Sequence, residues 1–67
     1  MDMEILLNGK AYKLESSTIL ALLEKLDIAH KAMAIAVNTQ VLKKEKWGEY
    51  VLQNGDEVEI LDFVGGG

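Results

Sequence analysis

The chain is 67 residues long, 49% hydrophobic and 27% charged, with a formal net charge of −4. That length allows one small domain, burying only about 60% of its unfolded surface, and the composition excludes an intrinsically disordered chain. Having no cysteine and one histidine excludes disulfides, thiol chemistry and Cys- or His-based metal clusters, and an acidic balance whose positive charges are all lysine speaks against nucleic acid as a partner.

Met3 to Leu7 is a short apolar run followed by Asn8-Gly9, the strongest short hairpin signal because both residues tolerate positive φ. Ala11 to Leu14 is the return strand. A two-residue loop fixes the register: Met3 opposite Leu14, Glu4 opposite Lys13, Ile5 opposite Tyr12, Leu6 opposite Ala11. One face of the ribbon is then apolar, and the other carries an opposite-charge pair. Ser16-Ser17-Thr18 is an N-cap cluster. Ile19, Leu22, Leu23 and Leu26 follow at i, i+3, i+4 and i+7, the stripe of a helix that ends near Asp27.

Met33 to Val37 reads as the third strand, alternating alanine with larger apolar residues. Val41-Leu42 reads as a short fourth. Lys43 to Tyr50 is irregular or briefly helical, anchored by Trp47. Asn54-Gly55-Asp56 is a turn, and Val58 to Val64 is the last strand. Within it Val58 and Ile60 point one way, and Glu59, Leu61 and Phe63 the other. The order β-β-α-β-(β)-β is an α+β domain, with one helix on one face of a mixed sheet. The expected core is Ile5, Leu22, Leu23, Leu26, Val58 and Ile60.

No targeting or membrane segment is expected. No uncharged apolar stretch, Ile19 to Leu23 included, comes near a span of roughly 20 residues, and Asp2 and Glu4 have the wrong sign for a signal peptide. The expectation is a cytoplasmic domain without membrane contact.

Three of the six glycines are the last three residues, Gly65-Gly66-Gly67. A frayed tail accounts for glycines at a terminus, but disorder does not call for glycine alone. Without a Cβ, such an end can enter a slot that closes on the backbone, and three extended residues reach roughly 10 Å. The group it can deliver is the terminal carboxylate. A carboxylate is a poor acyl donor, so its chemistry needs activation, as by a nucleoside triphosphate forming an acyl-adenylate. A sulfur or amine nucleophile then displaces AMP. The chain has no phosphate-cradling loop, so activation belongs to a partner enzyme.

The element order, the Asn54-Gly55-Asp56 turn before Val58-Glu59-Ile60, and the Gly66-Gly67 end together resemble the ubiquitin-like β-grasp sulfur carriers, over essentially the whole chain. Within them the length, the run Lys43-Lys44-Glu45-Lys46-Trp47 and the end Phe63-Val64-Gly65-Gly66-Gly67 resemble the thiamine-thiazole (ThiS) family. The molybdopterin-synthase small subunit is similar but usually longer, with prolines before its diglycine; this chain has no proline.

The resemblance implies a carrier rather than an enzyme. It implies a β-grasp domain over residues 1–64 and a flexible tail over 65–67. Gly67 is the implied site of adenylation and of the thiocarboxylate. No cofactor is bound; ATP and a sulfur donor are used by the partner enzyme. The implied partners are an E1-like adenylating enzyme of the ThiF type, a thiazole synthase of the ThiG type and a sulfur donor such as a cysteine desulfurase. The free protein is expected to be monomeric.

The resembled fold places the first and last strands side by side. Leu6, Leu61 and Phe63 are therefore expected to form one exposed patch beside the tail, with Val64 next to it, as the partner-binding residues. Trp47 is expected to be structural and His30 a solvated turn residue. Glu57, Glu59 and Asp62 give the last strand an acidic character that solvates it or steers the tail toward a basic entrance. Two readings of other classes stay open: a scaffold or inhibitor module whose glycines are incidental, and a modifier conjugated through Gly67 to lysines.

Overall fold

A computed structural model describes residues 2–15 and 17–62. The elements in chain order are β1 (Asp2–Leu7), β2 (Lys10–Glu15), α1 (Ile19–Lys25), β3 (Ala32–Val37), β4 (Gln40–Leu42), a single 3₁₀ turn (Lys44–Lys46) and β5 (Glu57–Asp62). The last strand therefore begins one residue earlier than expected. Its expected end at Phe63-Val64, the tail 65–67 and Ser16 of the capping cluster lie outside the described residues.

The five strands form one mixed sheet in the order β2-β1-β5-β3-β4. β1 and β2 pair antiparallel with Met3 opposite Leu14, Glu4 opposite Lys13, Ile5 opposite Tyr12 and Leu6 opposite Ala11, the register set by the two-residue turn. Asn8 and Gly9 have φ of 51° and 85°, both positive as such a turn requires. β5 runs parallel to β1 and antiparallel to β3, so the last strand lies in the middle of the sheet.

The helix starts where the Thr18 hydroxyl accepts a hydrogen bond from the Ala21 amide, and it presents buried Ile19, Leu22 and Leu23 to the sheet. It ends by geometry rather than by glycine. Asp27 adopts φ 60°, its amide donates to the Glu24 carbonyl, and the Ile28 amide donates to the Leu23 carbonyl. That pair of bonds caps the last carbonyls in the Schellman manner.

The core contains Ile5, Leu22, Leu23 and Val58 as expected, joined by Leu14, Ile19, Ala32, Ile35, Val37, Trp47 and Leu52. Leu26 and Ile60 pack against it only partly buried. Leu26 caps the helix instead of lying within it, which turns it toward the rim. Leu52 is drawn inward because its segment is stitched to the helix start. The Ile19 amide donates to the Tyr50 carbonyl, the Leu20 amide to Trp47, and the Leu52 amide to Ser17. Trp47 is the structural anchor expected: 2% exposed, its indole N–H donates to the Leu42 carbonyl at 3.0 Å. A bulge between Ala32 and Ala34 reverses the alternation of β3, burying Ala32 and leaving Met33 64% exposed.

Candidate functional site

The strand that leads to residues 63–67 is fixed at its base from both sides. The Leu6 amide donates to the Asp56 carbonyl and the Asn8 amide to the Val58 carbonyl. Beyond these bonds β1 turns away, and the Asn8 side chain takes over: its Oδ1 accepts from the Ile60 amide at 2.8 Å. The hairpin turn that sets the first register thus also supplies a side-chain rung to β5. On the other flank the Asn38 amide donates to the Glu57 carbonyl, and the Glu57 amide donates back to Asn38 Oδ1.

Asp56 closes this base. It is the buried charged residue of the described chain. Its carboxylate accepts from Asn38 Nδ2 at 3.0 Å, from the Tyr50 hydroxyl at 2.9 Å and from the Gln53 amide at 2.9 Å. Burial pushes its pKa up, but the bonds from Gln53, Asn38 and Tyr50 outweigh that, and the net shift is downward. The Tyr50 hydroxyl moves upward, first by burial, then by its bond to Asp56 and the nearby negative charge. The loop from Gln53 to Asp56, the β3–β4 turn and the base of β5 become one hydrogen-bonded unit. No buried polar side-chain atom among the described residues lacks a partner.

Leu6 and Leu61 both lie on the sheet face away from the helix, 39% and 64% exposed. They do not meet. Leu6 is level with Glu57 on β5, and Leu61 stands four residues further along that strand, roughly 13 Å away at the rise of an extended chain. Glu59 lies between them on the same face. The single patch expected from strand adjacency is therefore two separate places, because adjacency fixes the order of strands and not their stagger.

Leu61 instead pairs with Ala34. With Ala36 and Val41 they frame a shallow groove of about 320 Å³. Val41 is 77% exposed. These three were not singled out from the sequence. The signal was present in the alternation of β3, since small residues on its outward positions leave a depression between the larger neighbours. Phe63, Val64 and the glycines, Gly65, Gly66 and Gly67, lie outside the described residues. His30 is exposed, and no group of three or more metal-ligating side chains occurs among the described residues. No helix there is long and apolar enough to cross a membrane.

The sequence model of the ThiS family matches residues 5–67, through the final glycine. The chain belongs to the ThiS family. It is 33% identical over 66 residues to the sulfur carrier protein ThiS of Escherichia coli, which covers 97% of this chain and 100% of that one. The crystal structure of the thiamine biosynthesis protein ThiS from Geobacter metallireducens matches with a TM-score of 0.80 at 33% identity, over 97% of this chain and all of that one. A thiazole synthase of Magnetococcus marinus is 38% identical over 66 residues, but this chain spans only 20% of its length. The fold is the ubiquitin-like β-grasp, and the protein is a sulfur carrier of thiamine biosynthesis rather than a catalyst.

Proposed function

We propose that the Gly67 carboxylate is the group that carries sulfur, and that the rest of the chain is its handle. The carboxylate attacks the α-phosphate of ATP in the active site of an E1-like, ThiF-type enzyme, giving the acyl-adenylate and releasing pyrophosphate. The persulfide of a donor such as a cysteine desulfurase then displaces AMP to give an acyl disulfide, and a thiol reductant cleaves its S–S bond to leave the thiocarboxylate. A ThiG-type thiazole synthase takes that sulfur. Thiocarboxylate sulfur is softer and more nucleophilic than carboxylate oxygen, so it can attack a carbonyl or imine without free sulfide.

The observation that carries this reading is the match over 97% of the chain to a sulfur carrier of nearly the same length. The match to a fifth of a chain named thiazole synthase supports the choice of acceptor, since a carrier-like stretch sits in one polypeptide with that name. Gly65 and Gly66 act as the narrow lead to the carboxylate. Phe63, Val64 and Leu61 meet the partners beside the tail, and Leu6 gives a second contact lower on the same face. We place these events in the cytoplasm, with the free carrier a monomer.

The test is intact mass after incubation with a ThiF-type enzyme, ATP and a sulfur source. The expected result is exchange of one oxygen for sulfur at the C-terminus. Deleting Gly66-Gly67 leaves the new terminus roughly 7 Å short and should abolish the exchange while circular dichroism stays unchanged. If the truncated protein gains sulfur at the full rate, the carrier role of Gly67 is wrong.

A further inference from the structure

β2 is an edge strand of six residues, paired with β1 along its whole length. Across a two-residue turn the flanking pair, Leu7 and Lys10, is hydrogen-bonded, and bonded and non-bonded pairs alternate from there. Lys10, Tyr12 and Leu14 therefore direct their main-chain groups to β1. Those of Ala11, Lys13 and Glu15 point out of the sheet. Between this free edge and α1 lies an open cleft of about 500 Å³, lined by Lys13, Leu14 and Glu15 on one side and Ala21, Leu22 and Lys25 on the other. Leu14 and Leu22 are buried and make its floor. Lys13 and Lys25 are exposed on its rim, and the one salt bridge among the described residues lies elsewhere, between Lys46 and Glu49.

We propose that this edge and cleft form a strand-addition site for an extended, acidic segment of a partner protein. The segment extends the sheet beyond β2, exchanging main-chain hydrogen bonds with Ala11, Lys13 and Glu15. Its side chains on the helix side alternate by period two, so an apolar one settles over Leu14 and Leu22 while an acidic one meets Lys25. On the opposite side an acidic residue meets Lys13. Charge selects the occupant. The molecule carries −4 overall, yet this edge presents Lys10, Lys13 and Lys25 against Glu15 and the Glu4 that faces Lys13 across the strands. Pairing with a second copy is repelled in the registers that set Lys10 or Lys13 opposite itself, the usual use of edge lysines. The site is separated from β5 by β1, roughly 10 Å across the sheet. A partner can therefore hold the carrier by β2 while the end of β5 stays uncovered.

The probe is the synthetic peptide acetyl-Asp-Glu-Val-Glu-Ile-Glu-amide, titrated into the isotope-labelled protein and followed by amide NMR. Binding should shift the amides of Ala11, Lys13 and Glu15, slow their hydrogen exchange, and weaken at least tenfold when salt is raised. The variant K13E/K25E should lose at least tenfold in affinity, and a peptide with lysine at every acidic position should not bind. K13P removes an outward N–H without touching the bonds to β1, so it should abolish binding with the fold kept; should K13P not fold, K13E/K25E decides. Absence of shifts at millimolar peptide, shifts confined to the Ala34–Val41–Leu61 face, or wild-type affinity in folded K13P or K13E/K25E would each overturn the proposal. None of these outcomes depends on sulfur transfer, so this site and the role of Gly67 stand or fall separately.

Discussion

Asp56 is the residue on which the base of β5 depends, and its hydrogen bonds give it a pH signature. Its pKa is lowered in the folded protein, so its contribution to stability is fully present above the ordinary carboxylate value. It is lost as pH falls through the lower folded value. Asp56→Asn should destabilise by about 1–3 kcal/mol at neutral pH, because an amide cannot accept from all three donors. The gap to wild type should narrow in acid, where the native carboxylate is itself protonated. Urea denaturation at pH 7 and near pH 3 measures both. Tyr50 has the opposite sign. Its raised pKa makes its contribution complete below the ordinary phenol value and lost as pH climbs through the folded one. Tyr50→Phe should remove that alkaline loss while costing about 1 kcal/mol at pH 7 from the bond to Asp56, which alkaline melting curves can check.

Among the elements, the β3–β4 hairpin holds the clearest local conflict. Its two-residue turn is Asn38-Thr39, with φ of 51° and 71°. Asparagine suits that conformation, but a β-branched residue is strained in it. Thr39→Gly should therefore stabilise by up to about 1 kcal/mol, net of glycine's extra chain entropy. A domain of this size should then melt some 4–8 °C higher per kcal/mol gained, as read by scanning calorimetry. At α1 the expectation runs the other way. Leu23 is fully buried between helix and sheet, and Leu23→Ala should cost about 2–5 kcal/mol through lost transfer energy and a residual cavity. Folding small domains have little more than that to lose, so an unchanged melting curve would refute the core assignment.

At the scale of the whole molecule, the sheet separates what must stay rigid from what must be delivered. β5 is central, bonded on both flanks at its base and to β3 as far as Asp62, so the chain after Asp62 leaves from an interior strand. Its outward face offers Leu61 beside Ala34 and Val41, with Glu57 and Glu59 lower down. Phe63→Ala and Leu61→Ala should each weaken binding to a ThiF-type enzyme and to a thiazole synthase with little change in stability. Leu6→Ala should have the smaller effect because it stands off from that groove. Titration calorimetry on both partners ranks the three; equal losses would mean that the partners read the whole face. Gly66→Val should block sulfur loading with the fold intact, since the branched side chain restricts the backbone, and intact mass records the outcome.

Sequence alone determined what local chemistry controls. Asn8-Gly9 set the first hairpin and its register, because a two-residue turn leaves one pairing that puts Ile5, Tyr12, Met3 and Leu14 on a common face. Thr18 and the stripe Ile19-Leu22-Leu23 set the helix, and the Phe63-to-Gly67 end pointed to the family. Tertiary structure decided what depends on distant partners. Asn38, Asp56 and Tyr50 look like ordinary turn and loop residues until the fold brings them to one carboxylate. Leu52 has no periodic neighbours and is buried only because its segment is tied to the helix start. Leu6 and Leu61 were legible as outward-facing, since alternation along a strand is local. Their separation was not, because the stagger between two parallel strands far apart in the chain is fixed by the bonds that Asp56, Asn8 and Val58 make across the sheet.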